Sequence, residues 1–177
     1  MLAYHTTYGV PAIRVHSCNF YGAYQYPEKF IPLFITNFLE GKSAPLYGKG
    51  DQAREWIYTE DFCRALDLAI LKGKAGEAYN IGTGFRKMNI EVARMIADML
   101  NMSYDRIASV KDRPGHDKRY ALDVKKIRAL GFRPKISFED GLKKTVEWYK
   151  ENEGWWRKIK QRMGFLEYYK RQYRGVV

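Results

Sequence analysis

With 177 residues, 46 % of them apolar and 15 % aromatic, the chain is long enough to bury an ordinary core, which excludes a disordered tail. Two cysteines, Cys18 and Cys63, are too few for a disulfide scaffold, three histidines lack metal-ligand spacing, and no apolar run approaches the ~20 residues that cross a bilayer. The net charge of +11 gathers at the end, where from Gly154 onward seven bases face Glu167 alone, a surplus of +6. No signal peptide is legible in the first ten residues, so a cytoplasmic location is expected and no membrane partner.

Residues 2–8 read as the tail of a helix that Gly9 stops. Residues 11–15 read as a strand. Residues 27–41 read as a helix with Phe30, Ile31, Phe34, Phe38 and Leu39 on one stripe, and Pro32 is tolerable there only near the first turn. A short strand over 44–47 leads through the turn 48–51 to another over 55–58. Thr59 is expected to cap the next helix, which presents Phe62, Leu66, Ala69 and Ile70 inward and stops near Gly73. Residues 77–81 form a strand, Asn89 caps a helix over 90–100, and 107–111 form a strand that ends in a polar loop. Asp123 and Ser137 are expected to cap two further helices, the first ending at Gly131. Beyond Trp156, Phe165, Tyr169 and Tyr173 recur at helical spacing. The basic segment 157–177 is therefore read as an amphipathic helix with its aromatics turned inward. The alternative is a nucleic-acid surface on which bases neutralise phosphates and tyrosines stack.

Strands alternating with helices suggest α/β architecture. The opening strand, glycine-rich turn and helix of a stand-alone doubly wound domain are not legible, and neither a G-x-G-x-x-G nor a P-loop occurs. The turn Ile81-Gly82-Thr83-Gly84 reads as a tight connection. No serine elbow, assignable carboxylate pair or metal cluster offers a catalytic set. Polar loops are more informative, and four stand out: 16–22, 26–30, 45–56 and 112–120. They carry Arg54, Arg113 and Arg119, whose planar guanidinium suits phosphate oxygens, and Asn19 and Asp112 for sugar hydroxyls, with Asn89 as a further contact. Lys29 at a helix start adds a cation where backbone N–H groups already favour anions.

The stretches S-C-N-F-Y-G, Y-P-E-K-F-I-P-L-F-I, P-L-Y-G-K-G-D-Q-A-R-E-W-I-Y-T-E-D, A-G-E-A-Y-N-I-G-T-G, D-R-P-G-H-D-K-R-Y-A-L-D and K-T-V-E-W-Y resemble, in this order, the dTDP-glucose 4,6-dehydratases. These are extended short-chain dehydrogenases/reductases, and the likeness covers nearly nine-tenths of the chain, to about Trp156. It implies the C-terminal portion of an extended Rossmann-type dehydratase: the last sheet strands plus the small substrate-binding domain. The N-terminal dinucleotide-binding half would be missing. Residues 1–156 would be the nucleotide-sugar-binding region and 157–177 a basic, aromatic helical tail.

The resemblance implies further that Asn19 contacts the sugar diphosphate, Lys29 and Phe30 border the nucleotide, and Pro45, Leu46 and Tyr47 line the thymine pocket. Arg54 clamps the diphosphate with Asn89 nearby, and Asp112, Arg113, Pro114, Gly115 and His116 close over the nucleotide. One departure is visible: Phe20 stands where the family usually has a second asparagine. Family members oxidise the sugar with NAD, eliminate water and return the hydride, using a tyrosine with a lysine four residues on. No tyrosine here is followed by lysine at that spacing. The expectation is thus a nucleotide-sugar binder with no catalytic residue, no metal and no cofactor of its own. Its expected partners are a dTDP-glucose-type ligand and either a second copy or a separate cofactor domain. Two other readings are half of a split enzyme and a repurposed binding protein whose basic tail meets nucleic acid.

Overall fold

The computed structural model of the chain describes residues 1–119 and 121–173. Helix α1 (Leu2–Tyr8) ends where Gly9 takes a left-handed conformation, φ 67°, and returns its N–H to the His5 carbonyl. Strands β1 (Arg14–Ser17) and β2 (Asn19–Tyr21) follow, with the buried Cys18 between them. Helix α2 (Phe30–Leu39) is buried along residues 31–38, and Pro32 sits in its first turn, where a missing N–H forfeits no helical bond. After β3 (Ala44–Tyr47) comes β4 (Ala53–Tyr58), of which every residue past Ala53 is buried. The order continues with α3 (Thr59–Lys72), β5 (Ala78–Ile81), β6 (Arg86–Met88), α4 (Asn89–Met99) and β7 (Ile107–Val110). Helices α5 (Lys125–Ala129), α6 (Phe138–Glu151), α7 (Glu153–Lys160) and α8 (Met163–Gln172) complete it.

The pairing is mostly parallel, so helices must cover the strands. Strand β1 lies parallel to β5, β2 parallel to β4, and β3 parallel to β7, while β6 joins β4 antiparallel. Two cores result. One packs α2, α4, α6 and Trp156 of α7 around β3 and β4; the other packs α3 and α5 against β1 and β5. Asp61, fully buried on α3, accepts the backbone N–H groups of Lys135 and Ile136, 2.9 Å each, and so ties the approach to α6 onto the second core. A third, smaller cluster seats Phe165 and Tyr173 of the C-terminal segment on Leu33, beside Tyr47, so the aromatic spacing of that segment does face inward.

The differences from the sequence reading are local. Strand β1 starts at Arg14 rather than 11, α2 is shorter at both ends, and β2 and β6 were too short to carry a pattern. Thr59 and Asn89 are not caps but the first residues of their helices; Thr59 Oγ1 donates to the Tyr21 carbonyl instead. Ser137 does cap α6, accepting from Asp140 N–H at 3.0 Å, and Asp123 accepts from Lys125 N–H, one place outside the formal cap Val124. Ile70 is 65 % exposed; Ala65 and Ala69 make the inward stripe of α3, because the helix meets the sheet through small residues. The basic segment is broken into two helices at Gln161–Arg162. Tyr120 of the fourth polar loop, and residues 174–177 including Arg174, lie outside the described residues.

Candidate functional site

A cleft of about 380 Å³ opens where the starts of β2, α2 and α4 meet β3, β4 and the loop after β7. Of the residues expected to hold a ligand, Asn19, Lys29, Phe30, Pro45, Leu46, Tyr47, Arg54, Asn89, Arg113 and His116 line it together. Asp112, Pro114 and Gly115 do not line it. Asp112 supports the loop from behind: one carboxylate oxygen meets His116 Nδ1 at 2.7 Å and Arg113 N–H at 2.8 Å, the other Gln52 Nε2 at 2.8 Å. The bond from His116 holds the Asp112 carboxyl below the usual carboxylate range, against a smaller opposing effect of desolvation.

The cations of the cleft are held in different ways. Arg54 is only 4 % exposed, because β4 carries it into the interior, and its guanidinium donates to the Ala53 carbonyl at 2.9 Å and the Asp117 carbonyl at 2.7 Å. Those bonds fix the plane of a guanidinium whose fork matches an oxyanion. Lys29 is exposed at the N-terminal end of α2 and pairs with Glu28 at 2.8 Å. Asn89 is buried at the start of α4, where its own N–H donates to the Gln52 carbonyl and that of Ile90 to the Gly50 carbonyl, 3.0 Å each. Trp56 is buried on β4, and among the described residues its Nε1 has no acceptor.

A second cleft of about 550 Å³ adjoins the first, with Asn19, Lys29, Phe30 and Trp56 lining both. Cys18 lines only this second space. Burial first, then the Glu55 charge, pushes its thiol up to about 12, so it is no nucleophile at neutral pH. The turn 81–84 has a structural task. Glu55 Oε1 accepts Gly84 N–H at 2.8 Å, and a Cβ built on Gly82 would lie 2.2 Å from that same oxygen. The Glu55 carboxylate fills this turn, which leaves no room there for a dinucleotide pyrophosphate.

Sequence reasoning missed the far wall. Tyr168, Gln172 and Tyr173 of the C-terminal segment line the first cleft with Leu33 and Glu28. Gln172 Nε2 donates to the Tyr47 hydroxyl, and the Tyr47 ring lies 5.9 Å from Tyr173 and 5.8 Å from His116. The inward spacing of Phe165, Tyr169 and Tyr173 signalled a packed helix but not what it packs on.

Residues 1–145 match the family described as GDP-mannose 4,6 dehydratase. Among curated relatives, the dTDP-glucose 4,6-dehydratase of Streptomyces niveus is 48 % identical over 160 residues, covering 90 % of this chain and 48 % of its own length. dTDP-glucose 4,6-dehydratase 1 of Escherichia coli (strain K12) is 52 % identical over 166 residues, covering 89 % of this chain and 46 % of its own. Among solved structures, DesIV, a dTDP-glucose 4,6-dehydratase from Streptomyces venezuelae with NAD and TYD bound, superimposes with a TM-score of 0.87 at 50 % identity. That match covers 89 % of this chain and 49 % of DesIV. The chain spans about half the length of the relatives it matches. Helices α7 and α8 lie beyond the family match.

Proposed function

The chain belongs to the GDP-mannose 4,6-dehydratase family, and on that premise we propose that it grips a nucleotide sugar of the dTDP-glucose type without turning it over alone. The observation that carries this reading is Arg54: a guanidinium 4 % exposed, braced by two backbone carbonyls at the wall of a cleft that also collects Asn19, Lys29, Asn89 and Arg113. A dianionic diphosphate in a partly buried cleft needs charge-assisted donors held in place, because moving them into position on binding would cost side-chain entropy.

The division of the site follows the chemistry. The diphosphate sits among Arg54, Arg113 and Lys29, and the base lies against Pro45, Leu46 and Tyr47. The glycosyl group passes Asn19 and Trp56 into the adjoining cleft, where the unpartnered Trp56 Nε1 meets an acceptor. This chain supplies binding, orientation and shielding from water. The hydride transfer that the family performs with NAD and a tyrosine–lysine pair lies outside the role proposed for these residues. Self-association is a further part of the proposal: β1 pairs only with β5 among the described residues, and Leu2, Tyr4, Tyr8 and Val10 are exposed in the segment that precedes it.

The test is a paired assay of the purified chain with dTDP-glucose. Calorimetry should give saturable binding, while incubation with dTDP-glucose and NAD should give no 4-keto-6-deoxy sugar. Turnover by the chain alone would overturn the non-catalytic part. Absence of saturable heat with dTDP-glucose, dTDP and UDP-glucose alike would overturn the whole reading.

A further inference from the structure

A cavity of about 650 Å³ lies between the C-terminal end of α2 and the helices α7 and α8, and shares no lining residue with the cleft around Arg54. Five cations line it, Lys42, Arg106, Arg157, Lys160 and Lys170, against one carboxylate, Glu40. Glu40 meets Lys160 at 2.8 Å, Lys42 at 3.0 Å and Arg157 at 3.7 Å, and Glu153 takes Arg157 from the side at 2.8 Å. Arg106 reaches only the Gly41 carbonyl, 3.3 Å, and neither it nor Lys170 has a carboxylate partner among the described residues. Five positive charges against these two negative ones leave a surplus of three.

The carbonyls at the end of α2 explain some of this, since a helix C-terminus attracts cations. Lys160, buried and bonded to Thr36, Asn37 and Glu40, does that task. Even so, its ammonium is held below the ordinary lysine value. Burial depresses it first, Glu40 pulls it back, and Lys42 and Arg157 depress it again. Arg106 is left with one long bond to the Gly41 carbonyl, and Lys170 has no carboxylate partner among the described residues. Alongside them the cleft offers the Leu166 and Tyr169 side chains as an apolar floor.

We propose that this cleft binds a small organic phosphate, with Lys42, Arg106 and Lys170 around the phosphate oxygens and Leu166 and Tyr169 along the rest of the molecule. Nucleic acid fits less well, because the cations line a concavity. In addition, the aromatic rings of α8 are committed inward: Tyr169 takes a hydrogen bond from Asn37 Nδ2 at 2.7 Å and stacks on Phe165 at 6.0 Å. The site is independent of the nucleotide-sugar reading, although α8 walls both clefts, through Tyr168 and Gln172 on one and Leu166 and Lys170 on the other.

Nitrogen-15 NMR titration of the whole chain with phenyl phosphate, and separately with inorganic phosphate, tests it. The amides of Gly41, Lys42, Gln161 and Lys170 should shift saturably, with phenyl phosphate saturating at several-fold lower concentration. The double variant Arg106→Glu/Lys170→Glu, both exposed positions, should weaken that response by about tenfold or more. The milder single variants Arg106→Gln and Lys170→Gln should each weaken it several-fold, and Arg54→Ala should leave it in place. The proposal fails if the shifts do not saturate, if they survive in the double variant, or if they centre on Arg54 and Arg113. It fails also if a single-stranded oligonucleotide saturates the same amides at lower concentration than phenyl phosphate.

Discussion

Beside the N-terminal end of α2, Arg54 is held by β4 and by two backbone carbonyls, whereas at the C-terminal end Lys160 is held by the Glu40 carboxylate, 120 residues away in sequence. The first arrangement is set by strand register, with Asn19 facing Trp56 across β2 and β4, and by the loop that brings the Asp117 carbonyl to Arg54. The second exists only once α7 has docked. One end of the same helix is therefore built by strand pairing and the other by the docking of a helix, and the two should fail under different insults.

The largest difference is expected at Trp156, fully buried and donating from its indole to the Tyr149 carbonyl at 2.8 Å. Trp156→Ala should cost about 3–5 kcal/mol in urea unfolding, by loss of transfer energy plus a residual cavity. A loss below about 1 kcal/mol would mean that α7 is not integral to the core. A smaller effect should come from acid. Burial would raise the Glu40 carboxyl, but the bonds from Lys160 and Lys42 outweigh it and hold it below its ordinary value of 4.5. A depressed carboxylate stabilises the fold fully above its unfolded value, and that contribution is lost as pH falls through the lower folded value. Tryptophan fluorescence should thus show no loosening of α7 from this group between pH 7 and 5, and loosening only below the ordinary glutamate range. Loosening already at pH 5 to 6 would break the assignment.

What could be read from the sequence follows the same division. The strand over 44–47, the stop at Gly9 and the cap at Ser137 rest on neighbours a few residues away, and the structure has all three. Ten of the thirteen anticipated ligand residues line one cleft: Lys29, Phe30 and Asn89 at helix starts, Pro45, Leu46, Tyr47 and Arg54 on strands, and Asn19, Arg113 and His116 in segments marked by their polar residues. Strands β2 and β6, three residues each, are too short to show alternation and exist through their pairing with β4. The exposure of Ile70 depends on α3 approaching the sheet through alanines, a matter of helix-to-sheet distance that periodicity does not carry. The α8 wall of Tyr168, Gln172 and Tyr173 rests on contacts such as Gln172 to Tyr47, 125 positions apart. Nothing local in the sequence announces it.

The proposed grip on a nucleoside diphosphate turns on the buried guanidinium, and calorimetric titration of dTDP into the wild-type chain and Arg54→Ala tests it most directly. The wild type should bind saturably, and the variant should lose about tenfold or more in affinity, the worth of charge-assisted hydrogen bonds to a diphosphate. Circular dichroism should show the variant still folded. Equal affinity for dTDP in the two folded proteins, or no saturable binding by the wild type, would contradict the claim that this cleft grips a nucleoside diphosphate.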